Sequence, residues 1–582
     1  MSVKWSDNTN YSDDSLVSAT AISNSMTGDH FADYLKIHGT GTPSKLQDNL
    51  MNEGITFEAE VVKDIEQRGF NIVSISETYS TEAVRKTADA ILDGTEIIHS
   101  GSLFNVTNRT YGIADLIVRS DVINRLFKRN VIPEDMMYIR APLLPKGSNY
   151  HYVIIDIKFT TLMMLSDGVS LSNSKRFKAY KGQVYIYNEA LYCIQGYSSP
   201  WAFIVGSGYK FKDVKGKGYE KSIATVSFDN KDKDIPEMVY YSIDWVRIVR
   251  INKDRWKDRD PSECHPLLKP NMNINSGMYH KEKYNHAEKM KDITLVWQCG
   301  PKQREKARLN GITRYDDARL TAQMMGFTGS RKESVDAILK INRDSTGMLW
   351  SPPVLETDMF NWTNLNNRFY VDFEANQLSG VPVKLFMIGV LHETSSGWVY
   401  KSFIADDSTV GELFRIMVEF KEYIYSNVGY KETPRIYHYG NYEPTMWKAQ
   451  CRVIADYYDT KIESNVVCDT LVKSITINEG CWVDILLVLR DQRFTVKGAM
   501  GFSIKDIGKS LFKHGLIKSC WAVDDLCMNG EDAMVYAKEY YETSPIERTN
   551  EQEEIMVNIT KYNEMDVLVM RDIVKFMDKL YV

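Results

Sequence analysis

Two charged side chains stand inside a strongly apolar stretch of the sequence, YVIIDIKF. Asp156 and Lys158 are two residues apart, and side chains with that spacing in a strand point to the same face. A carboxylate and an ammonium on one face of a buried strand are costly unless they meet a metal, a phosphate or each other. The pattern therefore indicates either an isolated ion pair or part of a site for phosphate chemistry.

Other polar residues accompany this strand. Asp115 lies alone in the apolar segment YGIADLIVR, and Gln183 and Tyr187 are one helical turn apart in AYKGQVYIYNEAL. A predicted helix, TFEAEVVKDI, offers Glu58, with Glu60 as the alternative. Carboxylates that converge on Mg²⁺ beside a lysine form a phosphodiester hydrolysis site. In such a site the metal polarises the phosphoryl oxygen, and the lysine orients the nucleophile or neutralises developing charge.

The order of these motifs, Glu, G-I-x-D, I-D-I-K and Q-x-x-x-Y, resembles the RecB-like branch of the PD-(D/E)XK nucleases. The resemblance implies a restriction-endonuclease-like α/β domain over residues 46–250, in which the helix of the last motif braces the site and contacts DNA. It implies metal ligation by Asp115 and Asp156. The catalytic residues that it implies are Glu58, Asp115, Asp156, Lys158, Gln183 and Tyr187. The long gap between the two aspartates predicts an inserted helix or hairpin within residues 121–147.

A second acidic group begins in RFYVDFEANQ, the clearest strand pattern in the chain. Asp372 and Glu374 share one face of this strand, and because adjacent carboxylates repel each other, the pair invites a divalent cation. The segment KYNEMDVLVM places Tyr562 and Asp566 one helical turn apart. Two metal ions about 4 Å apart need carboxylates from separate elements. A tyrosine beside them can hydrogen-bond the attacking water.

These motifs resemble the RNase-H-like DEDD exonucleases, in the branch whose last motif is Tyr-x-x-x-Asp. The resemblance implies an RNase-H-like domain over residues 346–582 with 3′→5′ exonuclease action. It also implies catalytic roles for the acids and the tyrosine, with metal ligation by Asp372, Glu374 and Asp566.

The middle acidic motif of this second group has two candidates. Glu443 follows the strand RIYHYG, and we take it as a catalytic metal ligand; Asp469, after NVVC, is the rival. A Glu at this place occurs in the exonuclease-like proteins that are fused to RecB-like nucleases. The whole chain resembles these fused nucleases of microbes and large DNA viruses.

The segment GYKFKDVKGKGYEK interleaves lysines with aromatic residues. Such a pattern suits a single nucleic-acid strand, through phosphate attraction and base stacking, and it equally suits a solvated basic hairpin. The lysines concerned are Lys210, Lys212, Lys215 and Lys217.

The segment ITLVWQCGPKQREKARLNGITRYDD resembles a helix-hairpin-helix module, a small fold that grips the DNA backbone. The resemblance implies that Gly300 lies in the hairpin, where backbone N–H groups receive a phosphate. The basic residues nearby are Lys302, Arg304, Lys306 and Arg308. A purely structural helical linker is the alternative.

Strands and helices have to position these residues. Apolar periodicity predicts a helix at 54–68, strands at 111–119 and 151–159, and a helix at 174–191. Short helices broken at Gly300 and Gly311 follow in residues 292–327. A strand at 368–375, a hairpin partner at 383–391 and a strand at 435–439 come next. The mixture predicts an α/β multidomain protein.

The 582 residues are too many for a single core. The polar residues 1–45 read as a mobile tail, and the Pro- and Asn-rich segment from 252 starts a linker. The predicted domains are therefore 1–45 (tail), 46–250 (first nuclease-like domain), 251–345 (linker with the helix-hairpin-helix-like segment) and 346–582 (second nuclease-like domain).

Bulk composition excludes several classes. The chain has 43% hydrophobic and 25% charged residues and a net charge of −6, so it is neither disordered nor basic overall, although local patches can still bind nucleic acid. We find no membrane-length apolar run and no signal peptide, and we expect a soluble intracellular protein. The eight cysteines lack a Cys-x-x-Cys pair, so we expect no zinc site or iron–sulfur cluster, and Mg²⁺ or Mn²⁺ as the cofactor.

Three functions fit these observations. The first is a double nuclease that trims DNA during repair, recombination or genome processing. The second is a nucleic-acid-binding scaffold in which one domain has lost catalysis, and the third is an RNA-processing nuclease. The Asp-x-Lys and Tyr-x-x-x-Asp motifs favour the first, whereas the Glu at the middle exonuclease motif keeps the second open.

Overall fold

The computed structural model describes residues 15–41, 43, 45–257, 259–355, 367–376, 384–429, 431–459, 465–521, 530–544 and 546–581. The chain divides into two compact units, unit 1 with residues 1–43 and 47–287 and unit 2 with residues 44–46 and 288–582. Each unit contains a mixed β-sheet covered by helices. The predicted α/β multidomain class is confirmed at this level.

The strands of unit 1 are β1 (Val17–Ser18), β2 (Ile72–Ser74), β3 (Ile97–Asn105), β4 (Thr110–Arg119), β5 (Tyr152–Met163), β6 (Trp201–Phe211), β7 (Val214–Lys217) and β8 (Ile223–Ser227). Its helices are α1 (Ser23–Thr27), α2 (His30–His38), α3 (Lys45–Gln67), α4 (Thr81–Leu92), α5 (Ser120–Leu126), α6 (Glu134–Met137), α7 (Lys175–Gln195), α8 (Ile235–Ile251), α9 (Lys253–Trp256) and α10 (Pro261–Cys264). The unit boundary falls within α11 (His280–Met290).

Within the described residues, eight strands form the sheet of unit 1, with the order β2-β3-β4-β5-β6-β7 and with β1 beside β4 and β8 beside β6. Strands β3, β4 and β5 are antiparallel neighbours, whereas β5 and β6 run parallel and are connected through α7. Apolar faces of α3 and α7 pack on the sheet. Val61 and Ile65 of α3 join Ile155 of β5 in one core cluster, and Val184 of α7 joins a second cluster. The predicted helices and strands of this domain are confirmed, as are short helices, α5 and α6, in the insertion between β4 and β5.

The prediction of a mobile tail over residues 1–45 is wrong for residues 15–38. Val17 pairs with Thr110, and Ile22, Phe31 and Leu35 are buried. The average composition of this segment is polar, but its few apolar residues recur at helical spacing and pack against the core. They contribute the burial energy that a disordered segment lacks.

The segment after residue 250 belongs to unit 1 as far as residue 287, so the predicted separate linker is also wrong. Trp256 and Leu268 are buried in a cluster with Phe31. The Nζ of Lys283 lies 2.9 Å from the Oδ2 of Asp29, and both side chains are buried. The sequence suggested a linker because this segment contains scattered Pro and Asn residues. Its contacts join residues that are far apart in the chain, and such contacts produce no periodic pattern in the sequence.

The strands of unit 2 are β9 (Trp350–Ser351), β10 (Arg368–Ala375), β11 (Leu385–Thr394), β12 (Gly397–Ile404), β13 (Arg435–His438), β14 (Trp482–Asp484) and β15 (Thr495–Val496). Its helices are α12 (Pro301–Arg308), α13 (Gly329–Arg343), α14 (Val410–Val428), α15 (Tyr442–Asp459), α16 (Asn465–Ile475), α17 (Ile485–Asp491), α18 (Ile504–Lys513), α19 (Gly530–Glu542) and α20 (Asn550–Asp578). The predicted strands at 368–375, 383–391 and 435–439 are confirmed.

The larger sheet of unit 2 has, in the described residues, five strands in the order β12-β11-β10-β13-β14. The first three are antiparallel, and β10, β13 and β14 are parallel. The long helix α20 packs across β10 and β11, and α14 covers the opposite core cluster. This arrangement brings the middle of β10 against the middle of α20.

The prediction of a helix-hairpin-helix at 293–317 is wrong. Residues Ile293–Leu295 form only a single 3₁₀ turn before Gly300, so one of the two helices is missing. The breaks predicted at Gly300 and Gly311 are confirmed, because α12 begins directly after the first and ends shortly before the second. Ile293, Val296 and Ile312 instead enter the core of unit 2.

Among the helices of the described residues, none combines the length and the apolar character that crossing a bilayer requires.

Candidate functional site

Asp156 and Lys158 lie side by side on β5, as their spacing predicts. The Asp156 side chain is fully buried, and the Nζ of Lys158 lies 2.8 Å from its Oδ2. The approach lacks hydrogen-bond geometry, and neither carboxylate oxygen of Asp156 has a hydrogen-bond partner among the described residues. Lys158 therefore supplies one cation to this carboxylate, and since buried polar atoms are normally hydrogen-bonded, its oxygens also suit a metal ion.

Asp115 reaches the same place from β4. Its Oδ2 accepts a hydrogen bond from the backbone N–H of Ile157 at 2.6 Å, between the two charged residues of β5. Burial and the neighbouring Asp156 raise the pKa of Asp115 well above its usual range. Burial opposes the charge on Lys158, but Asp156 and Asp115 together raise the pKa of the ammonium above its ordinary value. The lysine therefore remains a cation at neutral pH.

Of the two candidate acids on α3, Glu58 lies close enough to contribute to the pKa shifts of Asp115 and Asp156, whereas the side chain of Glu60 is exposed. The Oε1 of Glu58 lies 3.1 Å from the Nε2 of His99 on β3. The structure thus selects Glu58, and it adds a histidine partner that the sequence analysis missed.

His99 is held from both sides of its ring. Its Nδ1 lies 2.9 Å from the hydroxyl of Ser74, and its Nε2 lies 3.2 Å from the hydroxyl of Ser100. Ser100 has φ of +52°, a left-handed conformation that is strained for a residue with a side chain. Strain of this kind persists where the surrounding structure enforces it, here directly beside the acids.

Gln183 and Tyr187 face the sheet from α7. The Nε2 of Gln183 donates to the phenol oxygen of Tyr187 at 2.8 Å, and Tyr187 is buried. Burial and then Asp156 raise the pKa of this phenol, so it stays protonated. The pair lies on the helix side of Asp156 and Asp115.

The carboxylates of the second site lie closer together than those of the first. One carboxylate oxygen each from Asp372, Glu374 and Asp566 lies within 4.8 Å of the others, and among the described residues this is the only such group of three or more potential metal ligands. Asp372 is half-buried, and the other two are buried. The acids that were predicted from two distant motifs therefore converge, and the carboxylates of the first site do not reach this degree of convergence.

The charges of this group are poorly compensated. Burial and then Asp566 raise the pKa of Glu374 to about 8, and burial raises that of Asp566 to about 6. Burial, with Asp566 as the next cause, raises the pKa of Asp372 well above its usual range. Raised carboxyl pKa values show that the ionised cluster is unfavourable without a cation. The donor set fits a hard divalent metal such as Mg²⁺ or Mn²⁺.

Asn563, which the sequence analysis did not identify, contacts both acids of β10, Asp372 and Glu374. Its fully buried Nδ2 donates to the Oδ2 of Asp372 at 2.8 Å and lies 3.4 Å from the Oε1 of Glu374. Its Oδ1 accepts from the hydroxyl of Tyr400 at 3.0 Å, which fixes the orientation of the amide. On β11, Gly389 lies opposite Asp372, and a Cβ there would be 1.6 Å from the Oδ1 of Asn563. The glycine makes room for this amide.

Two further side chains approach Asp566. The indole N–H of Trp521 donates to its Oδ1 at 2.7 Å. Lys505, exposed at the start of α18, lowers the pKa of Asp566 through its charge and lies 5.6 Å from the ring centre of Tyr562. Burial and then Asp566 raise the pKa of the Tyr562 phenol. Tyr562 is therefore a hydrogen-bond donor at neutral pH.

Glu443 is buried at the start of α15, directly after β13. The Nδ1 of His438 lies 2.5 Å from the carbonyl oxygen of Gly440 and 3.5 Å from the Oε2 of Glu443, so its proton goes to the carbonyl. The Oε2 has no hydrogen-bond partner among the described residues. Burial raises the pKa of Glu443, and its charge in turn contributes to the raised pKa values of the three converging acids. The side chain of the rival, Asp469, lies outside the described residues.

The predicted phosphate contacts around α12 are largely occupied by internal partners. Arg304 forms a 2.9 Å ion pair with buried Asp292, and Arg308 one of 2.6 Å with Glu305. The amide N–H of Gly300 donates to the side chain of Gln303. Lys302 and Lys306 are exposed. Gly300 and Arg304 therefore have internal partners, and the assignment of Gly300, Arg304 and Arg308 to phosphate binding stays a prediction.

The other basic segment forms the hairpin of β6 and β7. Its four predicted lysines are all exposed: Lys210, Lys212, Lys215 and Lys217.

The sequence does contain a signal for two of the missed residues. Asn563 occupies a position in α20 where the spacing of Met556, Ile559 and Met570 calls for an apolar side chain. His99 interrupts the apolar strand IIHSGSLFN in the same way. A polar residue on a buried apolar face needs a partner, and here each partner is an acid of a candidate site.

Comparisons with protein-family models, curated protein sequences and solved structures return no match to this chain.

Proposed function

We propose that this protein is a metal-dependent nuclease with two phosphodiesterase sites that act on DNA. The observation that carries the proposal is the convergence of Asp372, Glu374 and Asp566 within 4.8 Å in a buried setting. A divalent cation offsets the mutual repulsion of such acids and, when bound, polarises a phosphoryl oxygen and acidifies a water. The resemblance to DEDD exonucleases favours 3′→5′ exonuclease action at this site.

The side chains of the second site have distinct tasks in this proposal. Asp372, Glu374 and Asp566 would hold the metal, and the buried Oε2 of Glu443, which lacks a donor, suits a second position. The protonated phenol of Tyr562 would orient the attacking water.

In the first site, Asp115 and Asp156 would hold the metal, with Glu58 beside them. The charged ammonium of Lys158 would orient the nucleophile or neutralise charge that develops on the phosphate. The order of α3, β4, β5 and α7 along the chain supports the proposal, because it presents the motifs in the order that the RecB-like resemblance implies.

One observation favours a second candidate function for unit 1, a nucleic-acid-binding scaffold. The first-site acids do not reach the convergence of the second site, since Asp115 is tied to the backbone of β5 and Glu58 to His99. In this alternative only unit 2 would cleave.

The proposal is tested by the contrast between a metal ligand and a tyrosine. Asp372→Asn should abolish Mn²⁺ binding at the second site and lower exonuclease activity to background. Tyr562→Phe should keep the affinity and lose about 10²-fold in rate, the scale of a lost proton-transfer partner. Calorimetry of Mn²⁺ binding, beside digestion of a 5′-labelled strand, measures both quantities. Equal Mn²⁺ affinity in the wild type and Asp372→Asn would contradict the metal site.

A further inference from the structure

The hairpin of β6 and β7 separates its lysines from its aromatic residues. Lys210 pairs directly with Lys215 across the hairpin, and Lys217 follows two residues later, so the three share one face. Tyr209 and Phe211 point to the other face, where their rings stack 6.2 Å apart and pack against the core of unit 1. The interleaved sequence pattern therefore produces one basic face and one packed aromatic face, and base stacking on these rings is disfavoured.

The three lysines lack internal partners. Like charges directly opposite each other destabilise a strand pair, and neither Lys210 nor Lys215 forms an ion pair with a described residue. The same holds for Lys217. Several other lysines of unit 1 are paired, as Lys128 is with Glu220. A cluster of cations that the fold does not neutralise is complementary to an external polyanion.

Strand β6 connects this basic face to the first candidate site. Gly206 of β6 is paired with Lys158, and Lys210 with Met163. At about 3.3 Å per residue, Lys210 lies roughly 13 Å along the strand from the residue opposite Lys158. Arg176, at the start of α7, is a further cation near the bulge of β5, since its guanidinium lies 3.4 Å from the carbonyl oxygen of Thr161.

We propose that Lys210, Lys215 and Lys217 bind the phosphate backbone of one nucleic-acid strand that leads into the first site. The inference rests on the proposed nuclease function and specifies how its substrate is held. Because the aromatic rings face the core, the contact reads phosphates and not bases. Binding is therefore independent of base sequence and strongly dependent on salt.

The test uses the full chain with Asp372→Asn, so that the second site is silent. Lys210→Gln, Lys215→Gln and Lys217→Gln are combined and compared with a control that carries Lys146→Gln, Lys233→Gln and Lys257→Gln, at three exposed lysines elsewhere in unit 1. Fluorescence anisotropy with a labelled oligothymidylate and with a duplex measures the affinity between 50 and 200 mM KCl. Each lost contact to a single strand lowers the slope of log K against log salt by about 0.7, so the hairpin variant should lose about 2 and the control nothing.

Cleavage separates the failure of this inference from the failure of the proposed function. The hairpin variant should cleave a long strand more slowly but a dinucleotide, which is too short to reach the hairpin, at the rate of its parent. A parent that cleaves DNA, with an unchanged salt slope in the hairpin variant, would overturn the hairpin assignment alone. A parent and a wild type that neither bind nor cleave nucleic acid would overturn both proposals.

Discussion

At the level of single residues, the two candidate sites differ in how their charges are balanced. The first site contains a cation, Lys158, in direct contact with buried Asp156. In the second site the direct donors, Asn563 and Trp521, are neutral, and the charge of exposed Lys505 acts from a greater distance. Removal of one partner from a buried ion pair is more damaging than removal of both. This difference leads to a separate prediction for each site.

Lys158→Ala should abolish cleavage by the first site, and it should also destabilise the metal-free protein by about 3 kcal/mol, because Asp156 then remains buried without a counter-charge. The double variant Asp156→Asn with Lys158→Ala is the control and should recover part of this loss. Urea unfolding without metal measures the free energies, and cleavage is followed in the Asp372→Asn background. Full activity of Lys158→Ala would contradict its assigned role.

Asn563→Ala should weaken Mn²⁺ binding at the second site by about 10- to 100-fold, the usual effect of losing a side chain that orients metal ligands. Tyr400→Phe is the matched milder change, because it removes only the hydroxyl that orients the amide. Calorimetry ranks the wild type, Tyr400→Phe and Asn563→Ala in decreasing order of affinity. If Asn563→Ala binds Mn²⁺ as tightly as the wild type, Asn563 serves only to pack α20.

The sequence is sufficient to predict the acids but not the residues that hold them. Asp372, Glu374 and Asp566 are identifiable because each is a charge in an apolar segment with a fixed spacing to a partner. The roles of His99 and Asn563 depend on contacts between elements far apart in the chain, such as α20 with β10. A glycine is required at position 389 because the side chain of Asn563, from another element, lies where a Cβ would be. No local sequence pattern indicates this contact.

At the level of elements, the strongly periodic strands and helices were predictable and the irregular segments were not. β10 has the predicted bounds, because its alternation is clear over the whole strand. The prediction of a helix-hairpin-helix was wrong because this motif needs a helix before the hairpin, and residues Ile293–Leu295 form only one 3₁₀ turn. The prediction for the N-terminal segment was wrong because its buried apolar residues, among them Ile22, Phe31 and Leu35, order it although its average composition is polar.

The insertion between β4 and β5 is an element whose stability should depend on pH. Buried His151, at its end, lies with its Nδ1 3.1 Å from the carbonyl oxygen of Ile139 and packs on Tyr197. Burial lowers the pKa of His151 from 6.5 to about 4. The native state therefore favours the neutral ring, and this contribution is complete above pH 6.5 and is lost as the pH falls towards 4.

His151→Phe removes this titration while it keeps an aromatic ring. The free energy of unfolding of the wild type should fall relative to that of the variant by up to about 3 kcal/mol between pH 6.5 and 4. Urea unfolding of both proteins across this range measures the difference. A difference that does not change with pH would mean that the ring of His151 titrates alike in the folded and unfolded states.

At the level of the whole molecule, each unit has its own core and its own candidate metal site. The clusters around β5 belong to unit 1, and those around β10 and α20 belong to unit 2. The predicted linker is divided between the two units at residues 287 and 288. Its apolar residues before the boundary pack in the core of unit 1, and those after it pack in the core of unit 2. Metal binding should therefore stabilise each unit through its own site.

Hydrogen exchange with mass spectrometry tests this independence. Mn²⁺ at 100 times its dissociation constant stabilises the state that binds it by about 2.7 kcal/mol, which slows exchange through unfolding of that unit about 100-fold. In the wild type, peptides from Tyr152–Met163 and from Arg368–Ala375 should both gain protection. Asp372→Asn should remove the gain only in the second peptide, and Asp156→Asn only in the first. A wild type in which Mn²⁺ protects unit 2 alone would assign metal chemistry to the second site and leave unit 1 as the nucleic-acid-binding scaffold.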